Sequence, residues 1–200
     1  MGTSTVKIHF ALHVSCCRWT QNSSPAGSGS HRCGPDAFVV ETSMVRHVYV
    51  TRCHTFCYPG AFVNDITNSA IEFSQHNSSV STIVVHTGTN DLKLQQSETL
   101  KQDFITLIHS IKQLKKQCII SGPLPSPWFG DIKFSRLQQL HIWLKRHCNS
   151  NNNPYVYNFK TFYNRHYLFK DDGLHPNHTG SNLFSMNIKL TLHSNKPFTD

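Results

Sequence analysis

The 200-residue chain contains few acidic side chains and no long apolar segment. Its 11 Asp and Glu residues are outnumbered by 19 Lys and Arg residues, which gives a formal net charge of +8, with 14 His residues in addition. No stretch approaches the roughly 20 apolar residues that a membrane-spanning helix requires. The apolar run from Ile8 to Val14 is interrupted by two His residues and lacks the form of a signal peptide. We therefore expect an intracellular, cytoplasmic protein without a transmembrane segment.

The cysteine pattern does not indicate a disulfide framework. The seven Cys residues are odd in number, and their spacing is not that of a small disulfide-rich domain. The segment Cys53-His54-Thr55-Phe56-Cys57 has the spacing of half a metal site. No second Cys/His pair with matching spacing completes it, and a closed metal centre needs ligands from both halves. We therefore expect reduced thiols and no bound metal.

The positive charge favours a polyanionic ligand such as RNA, DNA or an anionic membrane surface. Because the cations are scattered along the chain, a basic surface without any such ligand fits the composition equally well. The densest run, from Lys112 to Lys116, lies on a predicted helix and is expected to form its solvated face. Charge alone therefore does not select a partner.

The length suits a single domain with a sizeable core. Residues 1–35 differ from the remainder because they include the Ser-, Gly- and Pro-rich stretch from Asn22 to Ser30. Such a composition is typical of a flexible linker. We therefore expect a flexible tail over residues 1–35 and one folded domain over residues 36–195.

Short apolar runs alternate with segments of helical periodicity from Ala37 onward. The runs predict five strands, at residues 37–40, 55–57, 81–86, 118–121 and 155–159. The apolar spacing predicts a helix after each strand, at about residues 44–48, 63–73, 97–114, 137–144 and 179–188, with Ser97 as the cap of the third. Such alternation requires right-handed crossovers between parallel strands. It predicts a doubly wound, flavodoxin-like α/β fold, in which a five-stranded parallel sheet has helices on both faces.

Polar residues follow four of the predicted strands. Ser43 follows the first strand, Gly60 the second and Asn90 the third, and Asp172 and His175 come after the fifth. In a parallel sheet these strand ends share one edge, which is where open α/β sheets bind ligands. The fold therefore predicts that these residues, each a weak indication of a site by itself, lie close together at that edge.

Each of these residues has an ordinary reading and a chemical one. Ser43 suits a helix N-cap, but a Ser beside free backbone N–H groups can also act as a nucleophile next to an oxyanion donor. Asn90 is a turn former whose amide can donate to an oxyanion. Asp172 and His175 are three residues apart on a turn, where they are either solvated or a carboxylate that orients a general base.

At these positions the chain resembles the SGNH (GDSL-like) hydrolase family, over most of residues 37–190. Ser43 falls in the first sequence block of that family and Pro59-Gly60-Ala61 in the second. Gly88-Thr89-Asn90-Asp91 matches the third block, and Asp172-Gly173-Leu174-His175-Pro176 matches the fifth. The order and spacing of these motifs are specific to the family.

Three further segments are similar to a narrower group. These are Ser43-Met44-Val45-Arg46-His47-Val48, Cys57-Tyr58-Pro59-Gly60-Ala61 and Ser121-Gly122-Pro123-Leu124-Pro125. They resemble the esterase domain in the first open reading frame of vertebrate, notably fish, LINE-type retrotransposons.

The resemblance implies a serine esterase that hydrolyses small acyl, acetyl-type esters, including lipid-borne ones. His175 would take the proton from the Ser43 hydroxyl, and Asp172 would orient His175. The backbone N–H groups of Ser43 and Gly60 and the side-chain amide of Asn90 would form the oxyanion hole. The resemblance implies no metal or organic cofactor.

The first block departs from the family pattern. The family has Gly-Asp-Ser, whereas this chain has Glu41-Thr42-Ser43. If the turn needs a conformation reserved for Gly, Glu41 would strain it by about a kcal/mol or more, and its charge would oppose an oxyanion nearby. The alternative is a catalytically weakened retroelement-derived module that supports nucleic-acid binding or particle assembly. The net charge and the basic, aromatic segment around Arg165 favour that alternative.

Overall fold

The computed structural model describes residues 37–42 and 48–194. The predicted tail, the predicted nucleophile Ser43 and residues 44–47 of the first predicted helix lie outside the described residues. The strands are β1 (Ala37–Glu41), β2 (Cys53–Cys57), β3 (Thr82–His86), β4 (Gln117–Ser121) and β5 (Tyr155–Val156). The helices are α1 (Val63–His76), α2 (Ser97–Gln113), α3 (Asp131–Ser150), α4 (Asn158–Phe162) and α5 (His178–Ser194), with short 3-10 helices at Asp91–Leu94 and His166–Leu168.

The five strands form one parallel sheet in the order β2-β1-β3-β4-β5. The predicted doubly wound, flavodoxin-like α/β fold is therefore confirmed. In the register of the central strands, Glu41 at the end of β1 lies level with Cys57 on β2 and His86 on β3. The carboxyl ends of these strands therefore meet at one edge, and the loops that follow them begin side by side.

Both faces of the sheet are covered at its central strands, which explains the apolar runs of β1, β3 and β4. Phe38 and Val40 belong to a first core, packed against the apolar faces of α1, α2 and α3. Val39 belongs to a second core on the opposite face, which includes Phe184 and Ile188 of α5. Because side chains alternate along a strand, Glu41 points to the same face as Val39. Glu41 is itself fully buried.

The last predicted strand is too long, because β5 ends at Val156 and the chain enters α4 at Asn158. The side chain of Asn158 explains the change of direction. Its amide donates to the hydroxyl of Ser121 at 2.8 Å and to the carbonyl of Gly122 at 3.1 Å. The chain is therefore held against the end of β4 instead of continuing along it.

Three smaller predictions also differ from the structure. Val48 is not helical but lies in the second core, so its apolar spacing reflects packing rather than a helix. Ser97 is the first residue of α2, and its predicted cap position is occupied by Gln96, which makes no side-chain cap bond. Lys116 is buried, and its ammonium donates to the carbonyls of Asn77 and Val80. It therefore fixes the loop before β3 and is not part of a solvated face.

No described helix is both long and apolar enough to cross a membrane.

Candidate active site

The turn from Asp172 to His175 holds a carboxylate and an imidazole in contact. One oxygen of Asp172, Oδ1, accepts hydrogen bonds from the backbone N–H groups of Leu174 and His175, both at 2.9 Å. The other, Oδ2, lies 2.8 Å from Nδ1 of His175. A carboxylate in this position favours the tautomer with the proton on Nδ1. Nε2 of His175 is then left as a proton acceptor.

Asp172 is ionised at neutral pH. The backbone hydrogen bonds from His175 and Leu174, followed by the bond to the His175 side chain, lower the pKa of Asp172 to about 2. These bonds favour the charged form because each donor stabilises the anion. The carboxylate is therefore available to stabilise an imidazolium at His175.

Backbone contacts define the shape of this turn. Gly173 has a φ of +56°, a left-handed conformation that favours glycine. Its N–H donates to the carbonyl of Lys170, and the N–H of Lys170 donates to the carbonyl of His175, both at 2.8 Å. An antiparallel bridge between Phe169 and Pro176 closes the base of the turn. The local sequence therefore presents the carboxylate and the imidazole together.

The loops that follow β2 and β3 are tied to each other by the third block. The amide of Asn90 donates to the carbonyl of Ala61 at 3.0 Å. The carboxyl Oδ1 of Asp91 accepts the N–H of Val63 at 3.1 Å. Gly60 has a φ of +79°, and no described atom lies within 4 Å of the place where a Cβ would be. Gly60 is therefore suited to its position by conformation and not by close packing.

One of the two N–H groups of the Asn90 side-chain amide is not used by its bond to Ala61. An amide NH₂ carries two N–H groups, and the bond to Ala61 uses one of them. That bond also fixes the plane of the amide, so the second N–H has a defined direction. The second N–H of Asn90 is therefore held by a fixed amide, with one donor that the bond to Ala61 does not use.

The end of β1 is hydrogen-bonded to the residues at and after the ends of both neighbouring strands. The carbonyl of Glu41 accepts the N–H of Tyr58 at 2.8 Å, and the N–H of Thr42 donates to the carbonyl of His86 at 3.2 Å. Glu41 is not among the described non-Gly residues with positive φ. The expectation of backbone strain at Glu41 is therefore wrong, because Glu41 has ordinary strand geometry and not a conformation reserved for glycine. Its side chain is buried within the sheet face, away from solvent.

A buried histidine that the sequence reading overlooked lies next to Glu41. His86 ends β3 on the same sheet face, with its ring 4.9 Å from that of Phe184 in α5. Its Nδ1 lies 3.2 Å from the carbonyl of Ser121, and among the described residues no group hydrogen-bonds its Nε2. Burial lowers the pKa of His86 to about 4, despite the bond to Ser121. His86 is therefore neutral at pH 7 and donates from Nδ1. In the sequence, the one indication of a buried histidine was its position at the end of the apolar strand Thr82–His86.

A cavity of about 210 Å³ lies beside the chain that leads into the Asp172–His175 turn, and Phe169 is its lining residue nearest to the turn in sequence. It lies between residues 125–129, which follow β4, and residues 162–169, which precede the turn. Phe129, Phe162 and Phe169 line its apolar side. A second, wider groove of about 500 Å³ runs between the 3-10 helix after Asn90 and the start of α3.

The described cysteines and histidines do not gather into a metal centre. Within residues 37–42 and 48–194, no three His, Cys, Asp or Glu side chains are placed to hold a metal ion. Cys118 and Cys148 are buried free thiols, and burial raises the pKa of both. A raised pKa disfavours the thiolate and makes these residues poor nucleophiles.

Comparison with known proteins gives matches among solved structures. The chain is 40% identical to the esterase domain of the ORF1 protein from the zebrafish ZfL2-1 retrotransposon, over 79% of this chain and 99% of that domain, with a TM-score of 0.48. A GDSL-like lipase from Bacteroides thetaiotaomicron is 17% identical, with a TM-score of 0.69 over 80% of this chain and 88% of the lipase. A lipase/acylhydrolase from Enterococcus faecalis is 16% identical, with a TM-score of 0.63 over 82% and 99% of the two chains.

No protein-family model matches the chain, and no curated protein matches it. The two bacterial enzymes are too distant in sequence to show more than the shared fold. The 40% identity to the zebrafish domain, over nearly the whole of that domain, establishes the relationship. The chain belongs to the SGNH (GDSL-like) hydrolase family and groups there with a retrotransposon ORF1 esterase domain.

Proposed function

We propose that this protein is a serine esterase that hydrolyses small acyl, acetyl-type esters, with Ser43 as the nucleophile. The observation that carries the proposal is the 2.8 Å contact between Asp172 and His175, in a turn that Ser126 of the loop after β4 contacts. An ionised Asp that holds a His by Nδ1 is the acid–base half of a Ser-His-Asp triad. Ser43 follows two residues after the end of β1 and is the nucleophile assigned to that pair.

The reaction proceeds through an acyl-enzyme. Nε2 of His175 accepts the Ser43 hydroxyl proton while Oγ attacks the ester carbonyl carbon. Asp172 stabilises the imidazolium that forms, and the imidazolium then protonates the departing alcohol oxygen. Water attacks the acyl-serine in the second half of the cycle, with His175 again as the base. The acid is released, and the Ser43 hydroxyl is restored.

The oxyanion of each tetrahedral intermediate is assigned to three donors. These are the backbone N–H groups of Ser43 and Gly60 and the second N–H of the Asn90 amide. The bond between Asn90 and the Ala61 carbonyl supports this assignment, because it fixes the donor before substrate binds. Loss of one such donor typically lowers the rate by roughly a hundred- to a thousandfold.

The size of the cavity lined by Ser126 and Phe169 supports a small acyl group. Its volume of about 210 Å³ is below the roughly 300–1,000 Å³ of pockets that hold drug-sized ligands. Phe129 and Phe169 line part of it, and Arg165 and His166 belong to a lining that is mostly polar, which suits a short ester better than a long alkyl chain. A longer acyl chain, as in a lipid, would extend beyond this cavity.

Hydrolysis of p-nitrophenyl acetate tests the proposal. We expect turnover by the wild type and only the background rate for Ser43→Ala and His175→Ala. The matched control is Ser74→Ala, which removes a buried hydroxyl that bonds to the carbonyl of Ala70 within α1, and which should leave the rate unchanged. A folded wild type without turnover, or a Ser43→Ala variant as active as the wild type, would reject the proposal.

A second candidate is binding of single-stranded nucleic acid, in support of particle assembly. Tyr163, Arg165, Tyr167 and Lys170 are all exposed on one short segment. Exposed aromatic rings can stack on bases while the cations contact phosphates. Fluorescence anisotropy with a labelled RNA oligonucleotide at low salt tests this candidate. Binding that weakens with salt and with Tyr167→Ala would support it, and no binding at low salt would reject it.

A further inference from the structure

The loop between β4 and α3 touches the catalytic turn at its centre. Ser126 is buried, and its hydroxyl donates to the backbone carbonyl of Gly173. The same hydroxyl oxygen accepts the N–H of Trp128 at 3.2 Å. A single side chain therefore links the conformation of its own loop to the peptide between Asp172 and Leu174.

The indole of Trp128 lies against the same glycine. A Cβ built on Gly173 would be 1.7 Å from Cδ1 of Trp128, so the ring packs directly on the backbone of the turn. Yet 72% of Trp128 is exposed. An aromatic side chain that was recruited for core stability would be buried, whereas this one covers the turn from the solvent side.

The turn needs such external support. The hydrogen bonds of Asp172, of Lys170 and of the Gly173 N–H run between residues 170 and 175, so they set the shape of the turn but not its position relative to the sheet. The side chains of Asp172 and His175 are 47% and 31% exposed, so packing restrains them weakly. Leu174 contributes apolar packing on the second core, and Ser126 adds a directed bond from the loop that follows β4.

We propose that Ser126 and Trp128 are positioning residues that hold the Asp172–His175 turn in place against the loop that follows β4. The inference rests on the proposed esterase function. Neither side chain exchanges a proton with the substrate. Their effect is to fix where Nε2 of His175 lies, and a displacement of about 1 Å in a catalytic group can lower the rate by roughly a hundredfold.

The proposal predicts a loss in kcat with little change in KM. Ser126 lines the cavity assigned to the acyl group, but its hydroxyl is engaged by backbone groups of Gly173 and Trp128, and Ala keeps the Cβ at the cavity wall. We expect Ser126→Ala to lower kcat by roughly tenfold or more and to change KM by less than about twofold. Ser74→Ala is the matched control, because it also removes a buried hydroxyl bonded to a carbonyl, but in α1.

Trp128 provides a second and independent comparison at the surface. Trp128→Ala should lower kcat, and Trp128→Phe should restore most of it, because a phenyl ring can still cover Gly173. Ile132→Ala is the matched control, since Ile132 is equally exposed, at 72%, on the neighbouring α3. These exposed substitutions keep the test decisive even if Ser126→Ala does not fold.

The outcomes separate this inference from the proposed function. A folded wild type that does not hydrolyse p-nitrophenyl acetate overturns both. An active wild type whose Ser126→Ala and Trp128→Ala variants match their controls in kcat overturns only the positioning role. A selective fall in kcat for both variants, with recovery in Trp128→Phe, establishes it.

Discussion

Acidification should destabilise this protein through His86. The buried ring has a pKa of about 4 in the folded chain, whereas an unperturbed His has a pKa of about 6.5. Between these values the unfolded chain binds a proton that the folded chain does not. The free energy of unfolding therefore decreases as pH falls through this interval. Above about pH 7 the ring is neutral in both states, and its titration contributes nothing.

The size of the effect follows from the two pKa values. A folded pKa of about 4 against an unfolded value near 6.5 predicts a loss of about 2 kcal/mol at pH 5 relative to pH 8. The complete shift corresponds to about 3 kcal/mol, which is reached only below pH 4. A loss of this size is a large part of the stability of a typical domain.

Urea denaturation of the wild type and of His86→Gln measures the effect. Gln retains a donor for the Ser121 carbonyl but does not titrate. His141 and His147, whose pKa values are also lowered by burial, contribute equally to both proteins and cancel in the difference. We expect the wild type to be the more stable at pH 8, and its advantage to shrink by about 2 kcal/mol at pH 5. An advantage that does not change with pH would refute the assignment of His86 as a buried neutral base.

Two further predictions concern the catalytic groups. Asp172→Asn should lower kcat for p-nitrophenyl acetate by roughly ten-thousandfold, because the tautomer of the catalytic His is then no longer fixed. The neighbouring Asp171→Asn is the control and should leave kcat nearly unchanged. Equal effects of the two substitutions would show that Asp172 is not a member of the triad. Glu41→Gly/Thr42→Asp, which recreates the family motif, should give no gain in kcat, because Glu41 already has strand geometry. A large gain would show that the present first block impairs Ser43.

The sheet was predictable because its central strands β1, β3 and β4 are buried on both faces. Runs such as Ile83-Val84-Val85 are apolar at every position, which distinguishes them from the amphipathic helices between them. The motif around Asn90 and the motif from Asp172 to His175 were predictable for a different reason. The hydrogen bonds of Asp172 run within its own turn, whereas Asn90 and Asp91 bond to residues 29 and 28 positions away and were recognised by their motif alone.

The parts that were missed depend on contacts between distant residues. Ser126 and Gly173 are 47 positions apart, and His86 and Ser121 are 35 positions apart. No local pattern marks such pairs, because a Ser before a Pro and a Trp in a loop are ordinary turn residues. The length of β5 was wrong for the same reason, since Asn158 turns the chain by bonding to the end of β4.

The central claim is that Ser43 is a nucleophile activated by His175. Its most direct test is covalent labelling by a fluorophosphonate probe, followed by mass spectrometry of the digested peptides. We predict one adduct, on the peptide that contains Ser43, with much slower labelling in His175→Ala and none in Ser43→Ala. A folded wild type that remains unlabelled, or an adduct on any other residue, would contradict the account.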